Sequence, residues 1–266
     1  MEVINLNDLV LISVVMPVYN ASNYLKQTMD SLFGQSYDHW ELIAIDDCSK
    51  DDSYESLLKY SIMDKRIKVY KNDVNLGVSK TRNKAVDLSS GSWIAFLDSD
   101  DIWAKDKLYK QAEVIKKNTC NFICTGMSYI NEEGNSLNGY GKVDEVITYK
   151  SLRRFNQIAC SSVILRKELI LNNRMGRDDI HEDYSTWLNI LKNDQIACGI
   201  NEPLLIYRIR TGSRNGNKFK SIKKTYLVHR TTGIGVIMST FFTFSHLVKS
   251  YKKYRTIRNK TNEKNN

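Results

Sequence analysis

The sequence predicts an α/β fold, a mainly parallel sheet with helices on both faces. Short apolar, β-rich runs alternate with segments of helical periodicity from the start of the chain to about residue 120. That alternation implies right-handed crossovers between parallel strands. Sheets of this kind bind ligands beyond the carboxyl ends of their strands, and polar residues cluster there in this chain.

Ile12–Met16 is the first strand run, which Pro17 is expected to stop. Leu25, Met29, Leu32 and Phe33 then share a helix face, with Ser22 or Asn23 as cap and Gly34 as the stop. Leu42–Ile45 is the second strand, followed by a polar loop and a helix near Ser53–Tyr60. Ile67–Tyr70 is the third strand, Val78–Leu88 a helix, Trp93–Leu97 the fourth strand and Lys105–Lys117 a strong helix. Beyond residue 120 the pattern is less regular. Phe122–Tyr129, Ser161–Arg166 and Leu204–Ile209 are strand candidates, Asn131–Gly141 is hairpin-like and Tyr184–Leu191 looks helical.

The 266 residues are 42% hydrophobic and include 15 tyrosines but only two prolines, which excludes a disordered or collagenous chain. The net charge of +9 suggests nucleic acid until the chain is divided. Residues 1–215 carry 27 Lys+Arg against 29 Asp+Glu, a net of −2, whereas residues 216–266 carry 12 against one, a net of +11. The predicted organisation is therefore a body over 1–215 and a basic tail over 216–266. Five cysteines with no CxxC pair and four scattered histidines lack zinc-site spacing. Met1–Val10 lacks the basic and apolar regions of a signal peptide, so reduced cysteines and a cytoplasmic protein are expected.

The strand ends carry the chemistry. Asp98-Ser99-Asp100 follows the fourth strand, and two carboxylates one residue apart can share a hard divalent cation that also bridges nucleotide phosphates. The plainer reading makes Asp100 or Asp101 the N-cap of the next helix. Asp46-Asp47 follows the second strand, where a carboxylate can accept from a base N–H or a ribose hydroxyl, or can simply organise a turn with Ser49 and Asp51. Tyr19, after the first strand, offers a ring for stacking. Together at one sheet edge the three favour a nucleotide site over three unrelated turns.

In order and in register, Pro17-Val18-Tyr19-Asn20, Ile45-Asp46-Asp47-Cys48-Ser49-Lys50-Asp51, Asn75-Leu76-Gly77 with Thr81-Arg82-Asn83, and Phe96-Leu97-Asp98-Ser99-Asp100-Asp101 resemble the motifs of the family 2 glycosyltransferases. These are inverting enzymes of the GT-A, Rossmann-like fold, and the resemblance covers roughly residues 12–210. It is strongest to bacterial transferases of capsule, O-antigen or teichuronic acid assembly. It implies that Pro17, Tyr19, Asp46 and Asp47 hold the nucleobase of a nucleotide-sugar donor, usually a UDP-sugar, with Asn75 and Arg82 near base and phosphates. Asp98 would meet ribose and metal, Asp100 would ligate Mn²⁺ or Mg²⁺ directly, and Asp101 is a less defined third member. Cys48 stands where the family commonly has glycine.

Inverting transfer needs a base for the acceptor hydroxyl and electrostatic help for the departing nucleoside diphosphate. The resemblance points to an acidic pair opening a helix about eighty residues beyond the Asp-x-Asp, which Glu182-Asp183 matches. Asp183 is the expected base, Glu182 its neighbour or an acceptor-binding group, and burial with an acidic neighbour must raise the base's pKa. As plain helix chemistry, the pair would only be first-turn charge. His181 reads as incidental, and Arg208 or Arg210 as either a phosphate contact or surface charge.

The tail has no Asp, Glu, Lys or Arg from Thr231 to Val248. Its helical wheel puts Ile234, Ile237, Met238, Phe241, Phe242, Phe244 and Val248 on one side and Gly235, Ser239, Thr240, Thr243 and His246 on the other, with Val236 and Leu247 as exceptions. Such a helix can lie on an anionic membrane, or dock its apolar face on the body or on a second subunit. With a glycan or polyprenyl-linked glycan acceptor implied by the resemblance, a peripheral location on the inner face of the plasma membrane is expected. Asn259–Asn266 is expected to be disordered. Two competing readings are a nucleic-acid binder acting through the tail and a non-catalytic nucleotide-sugar scaffold; the acidic body weighs against the first, the retained carboxylates against the second.

Overall fold

The computed structural model describes residues 10–193, 195–210 and 218–258. The readings of the extreme N-terminus, of the boundary at 215/216 and of Asn259–Asn266 lie outside these residues. The chain alternates β1 (Ile12–Val18), α1 (Ser22–Phe33), β2 (Trp40–Asp46), α2 (Ser53–Met63), β3 (Ile67–Lys71), α3 (Val78–Leu88) and β4 (Trp93–Phe96). There follow β5 (Ile102–Trp103), α4 (Lys107–Lys116), β6 (Phe122–Ile130), β7 (Ser136–Gly141), β8 (Val146–Ile147), α5 (Tyr149–Leu152), β9 (Ile164–Arg166), α6 (Lys167–Asn172), α7 (Glu182–Leu191) and β10 (Ala197–Arg208). Two helices close the described chain, α8 (Lys218–Thr231) and α9 (Val236–Arg258).

The ten strands form one sheet in the order β3-β2-β1-β4-β9-β6-β10-β5, with β7 on β6 and β8 on β10. β1 pairs in parallel with both β2 and β4, while β9 runs antiparallel between β4 and β6, so the sheet is mixed and mainly parallel in its first half. Alternate residues of β1 and β2 enter cores on opposite faces. Val14, Met16, Leu42 and Ala44 pack with α1, α2 and α4, whereas Val15, Ile43 and Ile45 pack with α3, α6 and α7. Burial on both faces is why these strands read as unbroken apolar runs.

Four local expectations change. Pro17 does not stop β1, which runs to Val18. Val15 accepts from Leu97 on the β4 side, and strand alternation puts Pro17 on that side too, past the last β4 pairing at Phe96, so its missing N–H breaks no ladder bond. The cap of α1 is Ala21, not Ser22 or Asn23; the Ser53 hydroxyl and the Asp51 carboxylate take the N–H groups of Ala21 and Ser22 at 2.8 and 3.0 Å, from the loop after β2. β10 starts at Ala197 rather than Leu204, and its register shifts around Pro203 hid the first half. The cysteines are not all reduced. Cys120 and Cys198, brought together where neighbouring β6 and β10 begin, form a disulfide, and Cys48, Cys124 and Cys160 are free.

The tail breaks into two helices at Gly233, whose φ is +86°. Both pack on the body, and α9 docks there by part of the polar side of its wheel rather than by its apolar side. Ser239 and Thr243 are buried with their hydroxyls donating to the carbonyls of Ile234 and Ser239, Phe242 turns inward with them and Ile234 is buried just before the helix, while Ile237, Met238, Phe241, Phe244 and Val248 face out. Ile257 lies so close over β7 that a Cβ on Gly139 would stand 2.8 Å from it. In α8, Val228 and His229 are buried. The imidazole lies 5.7 Å from the rings of both Tyr184 and Phe242, and neither ring nitrogen has a hydrogen-bond partner.

Burial, and then the neighbouring Arg153 charge, bring the His229 pKa down to about 4. Its neutral form therefore stabilises the docked tail above the unfolded value of about 6.5, and that contribution is lost as pH falls from there through 4. Melting temperatures should drop over this interval in the wild type and drop less in His229→Phe; equal slopes would show that the histidine is not the titrating group.

Candidate active site

The ends of β3, β2, β1 and β4 form one rim, and the loops leaving them are tied to one another. The Asn20 N–H donates to Ser49 Oγ at 3.0 Å and the Lys50 N–H to Asn20 Oδ1 at 2.8 Å, which joins the loops after β1 and β2. Pro17 is buried, while Tyr19 is 45% exposed and presents an open ring beside them. Asp46 and Asp47, both buried, have different tasks. Asp47 is saturated: it accepts from Asn72 Nδ2 and from the N–H groups of Leu76 and Gly77 at 2.8–2.9 Å, and its own carbonyl accepts from Asn75 Nδ2. Both Asp47 and Asn75 thus shape the 72–77 loop. Asp46 accepts from the Ser49 N–H through Oδ2, but its buried Oδ1 has no partner, and an orphan acceptor at this rim suits a base N–H. Cys48 has φ +63°, a left-handed conformation that costs a side chain about 1–2 kcal/mol and accounts for the glycine the family commonly uses.

Asp98–Asp101 follow β4 at the same rim. The capping alternative fails, because β5 intervenes and the N-cap of α4 is Asp106. Instead the turn is held from all sides. Ser161 Oγ accepts the Asp98 N–H and donates to Asp101 at 2.6 Å, Thr28 donates to the carbonyls of Ser99 and Asp101, and the buried Arg208 donates to the Asp100 carbonyl. The Arg208 N–H donates to Asp101 Oδ1, so Arg208 is a strut of this turn. Burial first, and then the Asp98 charge, raise the pKa of Asp100; burial with Asp100 and Asp98 raises that of Asp101 well above the carboxylate range. Two guanidinium groups oppose this crowding, Arg210 at 3.1 Å from Asp100 and Arg82 at 2.5 Å from Asp98. Mutually repelling carboxylates with all-oxygen donors fit a hard divalent cation, with Asp98 and Asp100 as the side chains to hold it. Among the described residues no set of three His, Cys, Asp or Glu ligands gathers.

Arg82 joins this turn to the other half of the cleft. It is buried on α3, with Nη2 donating to Asp98 at 2.5 Å and Nη1 to Glu182 at 2.9 Å. Burial disfavours its charge, but Asp98, with Cys160 and Glu182, holds its pKa well above the ordinary value. The same helix fastens the segment leading into α7. Asn83 exchanges two hydrogen bonds with the Met175 backbone, and Asp178 accepts from the N–H and hydroxyl of Ser79. Gly77, at φ +85°, leaves the room Asp178 occupies; a Cβ there would overlap its carboxylate. Glu182 and Asp183 therefore open α7 in a held position. Asp183 is partly buried, and desolvation, then the Glu182 charge, push its pKa up to about 7. A carboxyl so tuned is half-ionised at neutral pH and can take a proton from a hydroxyl. His181 lies beside Ser221 of α8, at 3.4 Å.

The sequence profile described as "Glycosyl transferase family 2" matches residues 13–183, ending on Asp183 itself. The chain belongs to glycosyl transferase family 2. Among relatives, this glycosyltransferase is 37% identical over 245 residues to TuaG of Bacillus subtilis, a glycosyltransferase assigned to teichuronic acid biosynthesis, covering 92% of this chain and 97% of TuaG. It is 34% identical to the Escherichia coli UDP-Glc:alpha-D-GlcNAc-diphosphoundecaprenol beta-1,3-glucosyltransferase WfgD, over 92% of this chain and 95% of the relative. The crystal structure of S. aureus TarS 1-349 in complex with UDP-GlcNAc superposes with a TM-score of 0.67 at 19% identity, over 87% of this chain and 70% of that one. The mannosyltransferase PcManGT from Pyrobaculum calidifontis, in complex with GDP-Man and Mn2+, gives 0.63 at 14% identity, over 87% and 69%. The fold of the transferase is thus GT-A.

Sequence reading missed Ser161, Thr28, Asn83 and Asp178, which touch the site only through other residues. Asn83 stood within a quoted motif, but its partner is a backbone ninety-two positions away. Removing the transferase's buried cation in Arg82→Ala should lower the unfolding free energy by about 3–5 kcal/mol, because two carboxylates lose their partner; a loss under about 1 kcal/mol in denaturant titrations would contradict the pairing. A base with its pKa near 7 must be ionised to act, so kcat/KM of the wild-type transferase should rise with pH through about 7. In Asp183→Asn, turnover should fall by about 10²-fold or more and that limb should vanish.

Proposed function

We propose that the chain is an inverting, metal-dependent transferase that moves a hexosyl or N-acetylhexosaminyl unit from a UDP-sugar to a polyprenyl-linked glycan. It would act at the inner face of the bacterial plasma membrane, in surface polysaccharide synthesis. Residues 1–215 are taken as the transferase domain and 216–266 as its appended tail. The observation that carries the reading is Asp183 on α7, whose pKa burial and Glu182 push up to about 7, beside a Glu182 that one buried guanidinium joins to Asp98 beyond β4. WfgD, a glucosyltransferase with a diphosphoundecaprenol-linked acceptor, supports the lipid-linked acceptor, and the UDP-GlcNAc complex of TarS supports the donor class.

In this mechanism the open Oδ1 of Asp46 accepts from the base and Tyr19 stacks on it, while Asp47 and Asn75 keep the flanking loop in shape. A divalent cation, when bound to Asp98 and Asp100, would supply charge neutralisation for the leaving diphosphate. Asp183 takes the proton of the acceptor hydroxyl as its oxygen attacks the anomeric carbon. The new glycosidic bond forms on the face opposite the breaking C–O bond to the diphosphate, so the configuration inverts. Glu182, paired with Arg82, is held beside the base.

A screen of nucleotide sugars with Mn²⁺ or Mg²⁺, with and without a lipid-linked glycan, tests this. Transfer should require a UDP-sugar and a divalent cation, and should fall about 10²-fold or more in Asp100→Asn. Metal-independent turnover would remove the cation from the reading, and UDP binding without turnover on any acceptor would make the chain a binder.

A further inference from the structure

The tail presents its apolar side to solvent. Along α9, Ile237, Phe241, Phe244, Val248 and Tyr251 follow one another at spacings of four, three, four and three residues and so form one stripe, with Arg255 next in register. Ile237 is 83% exposed, Phe241 57%, Phe244 66% and Tyr251 63%, while the opposite side holds Ser239, Thr243 and Phe242 against the body. A helix docked merely for stability would place its phenylalanines inward and its hydroxyls outward. This one turns Phe242 in but leaves Phe241 and Phe244 out while Ser239 and Thr243 face inward, and the exposed stripe is about 21 Å long.

Charge narrows the choice of occupant. The tail carries a net +11 over residues 216–266 against −2 for the body, and the stripe is bracketed by Arg230 in the last turn of α8 and by Lys249 and Arg255. Joining two copies through this stripe would bring two tails of the same sign together, whereas a sheet of acidic headgroups would attract both. No helix among the described residues is long and apolar enough to cross a membrane, and the inner side of α9 is already covered by protein. We propose that the stripe seats α9 flat on a bilayer rich in acidic lipids, with the phenylalanines inserted at the headgroup boundary and the body held above it. This deepens the functional reading above, on whose lipid-linked acceptor its biological sense rests. The tail's contacts reach the active-site helix itself, through His229 against Tyr184, the residue after Asp183, so the surface that seats the enzyme also braces its base.

The test is flotation of the full chain with phosphatidylcholine vesicles, with or without phosphatidylglycerol, at low and high salt. The wild type should float with the anionic vesicles only, and less at high salt. Phe241→Asp combined with Phe244→Asp should weaken binding about tenfold or more, with an unchanged melting temperature and unchanged transfer to a short water-soluble acceptor. Undiminished flotation of the double variant, no flotation of the wild type, or a wild-type dimer that the double variant converts to monomer would each overturn the proposal. Asp183→Asn, which should lose turnover, should float as the wild type does, so a failed enzyme reading and a failed docking surface give different results.

Discussion

A single buried guanidinium sets the geometry of the cleft. Arg82 is charged in a place where charge is tolerated only if matched, and its two matches come from opposite sides of the site: Asp98, just past β4, and Glu182, at the start of α7. The sheet edge with Asp98 and the helix that carries Asp183 are thereby referenced to the same few atoms. Because α3 also holds the chain before α7 through Ser79 and Asn83, the helix acts as a jig between two parts of the sequence about a hundred residues apart.

Around that pairing, neighbouring carboxylates are separated by task. Asp46 and Asp47 are adjacent, yet one keeps an oxygen free and the other spends both on loop backbone and a side-chain amide. Asp100 and Asp101 are adjacent as well; Asp101 is enclosed by Ser161 and the Arg208 N–H, while Asp100 meets only the partly exposed Arg210 through its side chain among these pairs. In both pairs the second acid secures the turn that presents the first or its neighbour. A pattern of two acids in sequence cannot distinguish them, because the difference lies in which donors the fold brings up.

Much of the first half of the fold was legible, because strands buried on both faces leave long apolar runs and α3 falls on the expected residues, Val78–Leu88. The motifs at the strand ends were legible for the same reason: their place beyond a parallel strand follows from topology. What was not legible depends on partners remote in sequence. The cap of α1 comes from the loop after β2, the disulfide joins cysteines 78 residues apart, and β10 was shortened in reading because Asn201, Glu202 and Pro203 interrupt its alternation. The wheel of the tail separates the outward Ile237, Phe241, Phe244 and Val248 from the buried Ser239 and Thr243, but Ile234 and Phe242 turn inward and Thr240 outward, because periodicity cannot tell which side a neighbouring surface will claim.

The left-handed turn at Cys48 has a practical side. Of the three free cysteines, Cys124 and Cys160 are buried, and Cys48 alone is partly open to solvent. It sits between the orphan oxygen of Asp46 and the loop that Asp47 anchors, its thiol 3.6 Å from the Asp73 carbonyl. A thiol-reactive fluorophore would therefore attach, with no engineered residue, at the rim beside Asp46, and its emission would serve as a native reporter of any ligand bound there.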